Sequence, residues 1–254
     1  MTQPNLLILI PHPDDEVVGC AVALRRAVAA GAKAHGLYLT TGVPAAEALW
    51  PWQRGRHAAL VARRKAEAEA VAAELGLAPA GFAPWPSRAL KAHLGDALAS
   101  IRAAIARCAS DELWVPAWEG AHQDHDVANF LAAQFARQYP VKEFAEYNFH
   151  EGRVASGRFL RTNGAEETIR LTPAEAAWKR ALLARYRSER RNLAHIRVEI
   201  ETLRPLAAHD YSIRPHPGPL FYERFQWVPF RHPRVDFDRP ESVLSALRRG
   251  ARSP

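Results

Sequence analysis

Residues 6–19, LLILIPHPDDEVVG, constrain the fold more than any other stretch of the chain. Leu6 to Ile10 is an unbroken apolar run of strand length, as expected of a buried strand in an α/β sheet. Pro11 ends it, His12-Pro13-Asp14-Asp15-Glu16 follows, and a helical pattern opens at Val17. In an open α/β sheet, ligands bind just beyond the carboxyl ends of the strands. One imidazole and two adjacent carboxylates therefore fall where such folds carry their chemistry. His and Asp are ligands that suit zinc, and Pro13 stiffens the turn while removing a backbone donor. An Asp ahead of a helix also serves simply as a cap for orphan N–H groups, so this turn by itself leaves both readings open.

A second constellation shifts the balance. Glu112-Leu113-Trp114-Val115 reads as a strand, Pro116 and Gly120 as a loop, and His122-Gln123-Asp124-His125-Asp126 opens another helix. His122 and His125 are three residues apart and share nearly one face of a helical turn. Two strand-to-helix turns that both carry His and Asp fit one shared metal site better than two unrelated caps.

These residues resemble a known family. His12-Pro13-Asp14-Asp15-Glu16 and His122-x-Asp124-His125 look like the two signatures of the PIG-L/LmbE-like zinc-dependent N-deacetylases. Arg63-Arg64-Lys65-x-Glu67 with Leu75-Gly76 resembles the family's basic helix after the second strand, and Lys179 through Tyr186-Arg187-Ser188 its late Lys…Tyr-x-Ser segment. The match covers the first two-thirds of the chain well and the rest loosely. Family members remove acetyl groups, by hydrolysis of a linear amide, from N-acetylglucosamine units in glycolipid precursors, small thiols, glycopeptide antibiotics and chitin fragments. The resemblance implies His12, Asp15 and His125 as ligands of a catalytic Zn2+, or of another divalent ion. It implies Asp14 as general base and later acid, His122, if protonated, steadying the oxyanion, and Asp124 orienting a histidine. Arg64 would point into the site against substrate. Two departures stand out: Thr41 where relatives carry Asp, and Gln123 where they often carry Pro, an exchange expected to be tolerated.

Composition narrows the setting. The chain has 254 residues, 48% of them apolar, enough for one α/β domain spanning 1–254. Cys20 and Cys108 are the only cysteines, too few for a disulfide framework and suited to a reducing, cytoplasmic compartment. The amino-terminal residues lack the basic region of a signal peptide, and no transmembrane segment is expected. The net charge of +7 favours anionic partners unless it reflects only a general arginine bias. No nucleic-acid motif accompanies it. The expected partner is a small N-acetylated amino sugar, and an anionic group on it would match the arginines.

Along the chain, helices are expected over 16–31, 58–75, 90–108, 127–137, 173–186 and 188–203. Strands are expected at 34–40, 81–85, 112–115, 141–149 and 167–171. The alternation predicts a Rossmann-like α/β fold, a mostly parallel sheet flanked by helices. The core ends near 203, and a Pro- and aromatic-rich tail over 204–254 forms an irregular cap that frames the site. In the long 43–57 loop, Trp50, Trp52, Arg54 and Arg56 are placed to stack on and hydrogen-bond a sugar or its anionic substituent, with Arg54 a candidate substrate contact. A metal-dependent phosphoesterase and a non-catalytic sugar- or anion-binding relative are the competing classes.

Overall fold

The computed structural model describes residues 4–150 and 152–251. Its strands are β1 (Asn5–Ile10), β2 (Lys33–Tyr38), β3 (Leu77–Phe82), β4 (Glu112–Pro116), β5 (Val141–Phe144), β6 (Tyr147–His150), β7 (Arg153–Ser156), β8 (Glu167–Arg170) and β9 (Ile200–Pro205). Its helices are α1 (Asp15–Ala29), the short α2 (Pro51–Arg54), α3 (His57–Leu75), α4 (Leu94–Cys108), α5 (Gln123–Ala133), α6 (Pro173–Arg185) and α7 (Pro240–Gly250). Seven strands form one sheet in the order β3-β2-β1-β4-β5-β9-β8, and β6 and β7 pair as a separate hairpin. The first five of the seven are parallel, while β9 runs antiparallel to both β5 and β8. The expected α/β class, a mostly parallel sheet flanked by helices, is what the chain forms.

β1 lies near the centre, and its Leu6 to Ile10 are completely buried. Successive strand side chains point to opposite faces. Leu6, Ile8 and Ile10 accordingly pack with Val17 and Leu24 of α1, Val71 of α3 and Leu182 of α6. Leu7 and Leu9 pack with Ile101 of α4, Leu131 of α5 and Leu247 of α7. From β1 the chain builds outward through β2 and β3 on one side, and through β4 and β5 on the other. The reversal between β1 and β4 opens a crevice at their carboxyl ends, and both His/Asp motifs sit there.

Several elements differ from expectation. The 188–203 helix does not form: turns lead into β9, whose Ile200, Glu201, Thr202 and Leu203 are all buried in the sheet. Pairing on both edges outweighs the helical spacing of its apolar residues. The strand runs on past 203 to Pro205. Residues 141–149 split into β5 and β6, parting at Ala145-Glu146, and β3 begins at Leu77. The tail is irregular only to Arg239. Its end is α7, whose Val243, Leu244 and Leu247 complete the second core layer. Among the described residues, no helix is long and apolar enough to cross a membrane.

Candidate active site

The first motif is a wound turn at the end of β1. Asp15 N donates to His12 O at 3.1 Å, and His12 N donates to Asp15 Oδ2 at 2.7 Å. Asp14 takes φ 135°, a conformation that costs an L-residue about 1–3 kcal/mol and persists only where its surroundings enforce it. Here Asp14 O accepts from Val17 N and Val18 N, both at 2.9 Å, and Asp14 N donates to Glu16 Oε2 at 3.1 Å. Glu16 is itself held by the Tyr186 hydroxyl, which donates to Oε1. The strained backbone carries the Asp14 carboxylate away from α1 and into the cavity.

The second motif opens α5. His122 caps the helix, its Nδ1 accepting from Asp124 N at 3.1 Å. The proton of the neutral ring is then on Nε2. Burial and the neighbouring His12 push the His122 pKa well below its ordinary value. These surroundings favour the neutral imidazole, with Nε2–H as its donor, over the protonated ring.

Where the motifs meet, three side chains converge. His12 Nδ1 lies 3.2 Å from His125 Nε2 and 3.3 Å from Asp15 Oδ2. His125 Nε2 lies 3.3 Å from Asp15 Oδ1. Tetrahedral zinc with bonds of about 2.0–2.1 Å sets neighbouring donors about 3.3 Å apart, and each of these pairs stands at that separation, Asp15 meeting His12 through Oδ2 and His125 through Oδ1, so the three residues form a triangle of side chains of that scale. Asp124 turns the set inward, because its Oδ2 stands 3.0 Å from His12 Nε2 and so directs Nδ1 to the triangle. Asp124 is fixed in turn by Arg88 N at 2.5 Å and Leu90 N at 3.2 Å.

The electrostatics fit a cation at this point. Asp14, Asp15, Glu16 and Glu146 are all buried together. Neither Glu146 oxygen has an aligned hydrogen bond, and Oε2 stands 3.3 Å from His125 Nδ1, which is also unpaired. Burial, and then Asp15, Asp14 and Glu16, drive the Glu146 pKa well above the carboxylate range. Burial opposes a charge on His12, yet Asp15 and Asp124 hold its pKa up to about 10. Burial raises Asp14 to about 7, with Arg64 drawing it back. Wider donor groupings, His12 with His122 and His125, and Asp15 with His125 and Glu146, both share His125 with the triangle.

The structure brings His12, Asp14, Asp15, His122, Asp124, His125 and Arg64 to one locus, but not Arg54. Arg54 donates to Leu49 O at 3.3 Å and Glu47 O at 3.2 Å, which closes its own loop, and Gln53 lines the cavity instead. Arg64 is buried and committed: it donates to Asp14 Oδ2 at 3.0 Å and to Ser188 Oγ at 3.2 Å, with Glu189 Oε1 at 3.0 Å. It also lines the cavity, and its Nε has no hydrogen-bond partner. Glu146 is absent from the residues the sequence singles out, although an acid flanked directly by Phe144-Ala145 and Tyr147 was a signal for it.

Gln123 also proves more than a tolerated exchange. Fully buried, it donates to Asp236 Oδ2 at 2.6 Å and Asp238 Oδ2 at 3.0 Å, and accepts from Lys91 Nζ at 2.5 Å. Arg88 completes the anchor by donating to Val235 O at 3.1 Å and Pro233 O at 2.9 Å. These bonds hold the tail as one wall of a cavity of about 920 Å³ whose floor includes His12, Asp14 and Asp15. Gln123→Pro is expected to leave bound metal unchanged while trypsin cuts at Arg231 and Arg234 faster. Unchanged cleavage would show that the wall is held without Gln123.

The doubly wound sheet, with His and Asp side chains gathered in its switch-point crevice, defines an α/β protein whose buried donors could hold a metal ion beside the Asp14 carboxylate. More particularly, the chain belongs to the PIG-L family: the family model described as GlcNAc-PI de-N-acetylase matches residues 7–136, just over half of the chain. No curated protein matches it. Among solved structures it is similar to the A40926 pseudoaglycone deacetylase, at 18% identity and TM-score 0.61, over 82% of this chain and 100% of that one. It is also similar to the zinc-inhibited form of a teicoplanin deacetylase, at 20% identity and TM-score 0.59, over 81% and 99% of the two chains. A third similarity is to N,N'-diacetylchitobiose deacetylase from Pyrococcus horikoshii, at 16% identity and TM-score 0.58, over 80% and 83%.

Proposed function

We propose that the chain is a metal-dependent hydrolase that removes the N-acetyl group from an N-acetylglucosamine-type amino sugar within a larger glycoconjugate or natural-product intermediate. The observation that carries this is the triangle of His12, Asp15 and His125 with Asp14 alongside it, buried yet not spent on the triangle. Family membership and the deacetylases among the similar structures support the same reading.

A zinc ion held by His12, Asp15 and His125 would supply a Lewis acid and lower the pKa of water there to about 7. The remaining steps belong to the chain's own groups. Asp14 takes the proton of the attacking water and later delivers it to the departing amine. Arg64 grips Asp14 Oδ2, which fixes the plane of the carboxylate and leaves Oδ1 for the water. His122 donates Nε2–H to the oxyanion of the tetrahedral intermediate, acting as a neutral donor. Asp124 keeps the His12 ring in register.

The test is acetate release by the zinc-loaded protein from a panel of N-acetylated amino sugars: free, phosphorylated, nucleotide-linked, lipid-linked and oligomeric. Release is expected for at least one member and should stop on chelation and return with zinc. Zinc bound in full with no acetate released, and phosphate freed from phosphoester substrates instead, would replace this reading with the phosphoesterase.

A further inference from the structure

Six large hydrophobic side chains are exposed among the described residues, and four of them lie in just two segments: Trp52 at 72%, Phe225 at 49%, Trp227 at 77% and Phe230 at 56%. Scattered exposed apolar residues need no explanation, whereas a concentrated group marks an interaction surface. The two segments meet. Trp50 stacks on Trp52 with centroids 5.2 Å apart, and touches Phe230 at 6.4 Å and His232 at 5.4 Å across the chain. Phe225 and Phe230 line the cavity, while Trp50, Trp52 and Trp227 are not part of its lining. The exposed aromatics therefore adjoin residues of the cavity lining and face solvent, as a rim beside it.

Within these two segments the charge has one sign, and the bordering Glu223 and Asp236 are held by Arg214 and Gln123. Residues 50–57 and 224–235 contain Arg54, Arg56, Arg224, Arg231 and Arg234 and no Asp or Glu. The Arg224 guanidinium lies over Phe221 at 3.4 Å and Phe225 at 5.0 Å, so cation and ring are interleaved.

We propose that this rim is a docking surface for an anionic lipid bilayer. Indole and phenyl groups settle at the headgroup level of a membrane, and arginines between them are drawn to anionic lipid; together they make the pair of signals that stable peripheral binding needs. A second copy of the chain is a poor occupant, because a two-fold contact through this face would set arginines against arginines with no carboxylate between them. A ligand inside the cavity would leave Trp52 and Trp227 uncovered. The proposal does not rest on the deacetylase reading.

The experiment is co-sedimentation of the full chain with vesicles of phosphatidylcholine alone and of phosphatidylcholine mixed with phosphatidylglycerol. Binding is expected to the mixed vesicles only and to weaken with added salt. The variant Trp52→Ser/Trp227→Ser/Phe230→Ser changes exposed positions and keeps every arginine. It should melt with the wild type and lose at least about tenfold in vesicle affinity. Arg56→Glu/Arg231→Glu should weaken binding independently. No binding to the mixed vesicles would overturn the proposal. So would an aromatic variant that binds as tightly as the wild type, since adsorption would then be by net charge alone. A concentration-dependent dimer in sedimentation velocity that the aromatic variant abolishes would reassign the rim to self-association.

Discussion

Asp14→Asn is expected to retain zinc and lose turnover by about a hundred- to ten-thousand-fold, the range of a removed general base. The substitution is close to isosteric, and its amide oxygen can still accept from Arg64 Nη2, which now holds Oδ2 at 3.0 Å. It removes only the capacity to take a proton. The loss should appear in kcat, with KM little changed, because Asp14 acts on the water rather than on the sugar. Elemental analysis run beside the assay separates this from metal loss: His125→Ala, which breaks the triangle itself, should leave the protein without zinc. A metal-replete Asp14→Asn enzyme turning over near the wild-type rate would mean that another group accepts the proton. The unpaired Glu146 carboxylate beside His125 would be the first to test.

The layout of this site was legible in the sequence because both halves are local. Each motif is a short run in which strand, turn and helix start follow without interruption, so residue spacing reports geometry. What it could not report was how distant groups share the work behind them. Tyr186 reaches Glu16, and Ser188 bonds both Arg64 and Glu67. The two segments that resembled the family outside the motifs thus form the scaffold of the first turn. Arg54 and Arg64 look alike in sequence, and only tertiary packing sends one to loop carbonyls and the other to Asp14. β9 was misread because Ile196, Ile200 and Leu203 have helical spacing, while the signal for a strand was a long-range pairing with β5 and β8 that no local window contains. Nor did anything near Gln123 announce partners more than a hundred residues away at Asp236 and Asp238.

Lys179→Met is expected to destabilise the fold by about 3–5 kcal/mol, the cost of breaking a buried ion pair from one side, against a total stability of about 5–15 kcal/mol. The pair is unusual in its position. α1 departs from helical dihedrals at Cys20, with φ −144° and ψ 19°. In a regular helix Val22 N would donate to Val18 O. Here Val18 O accepts from Lys179 Nζ at 2.9 Å, while Val22 N and Ala23 N donate to Glu201 Oε2 at 3.0 Å and 2.8 Å. Lys179 closes the bridge with 2.7 Å to Glu201 Oε1, and both side chains are essentially inaccessible. An ammonium and a carboxylate are thus inserted into the broken turn of the helix. Removing the lysine leaves Glu201 charged and buried, and leaves Val18 O without its donor. Urea denaturation should show the midpoint fall, and Glu201→Gln, which keeps one acceptor, should fall less far. The first turn of α1 carries Asp15 and follows directly on Asp14, so a relaxed kink moves the donor triangle. Zinc affinity should therefore drop in Lys179→Met even under conditions where the variant is fully folded. A cost below about 1 kcal/mol, within the range of an ordinary surface pair, would mean that the kink is held by the packing of α1 against α6 instead.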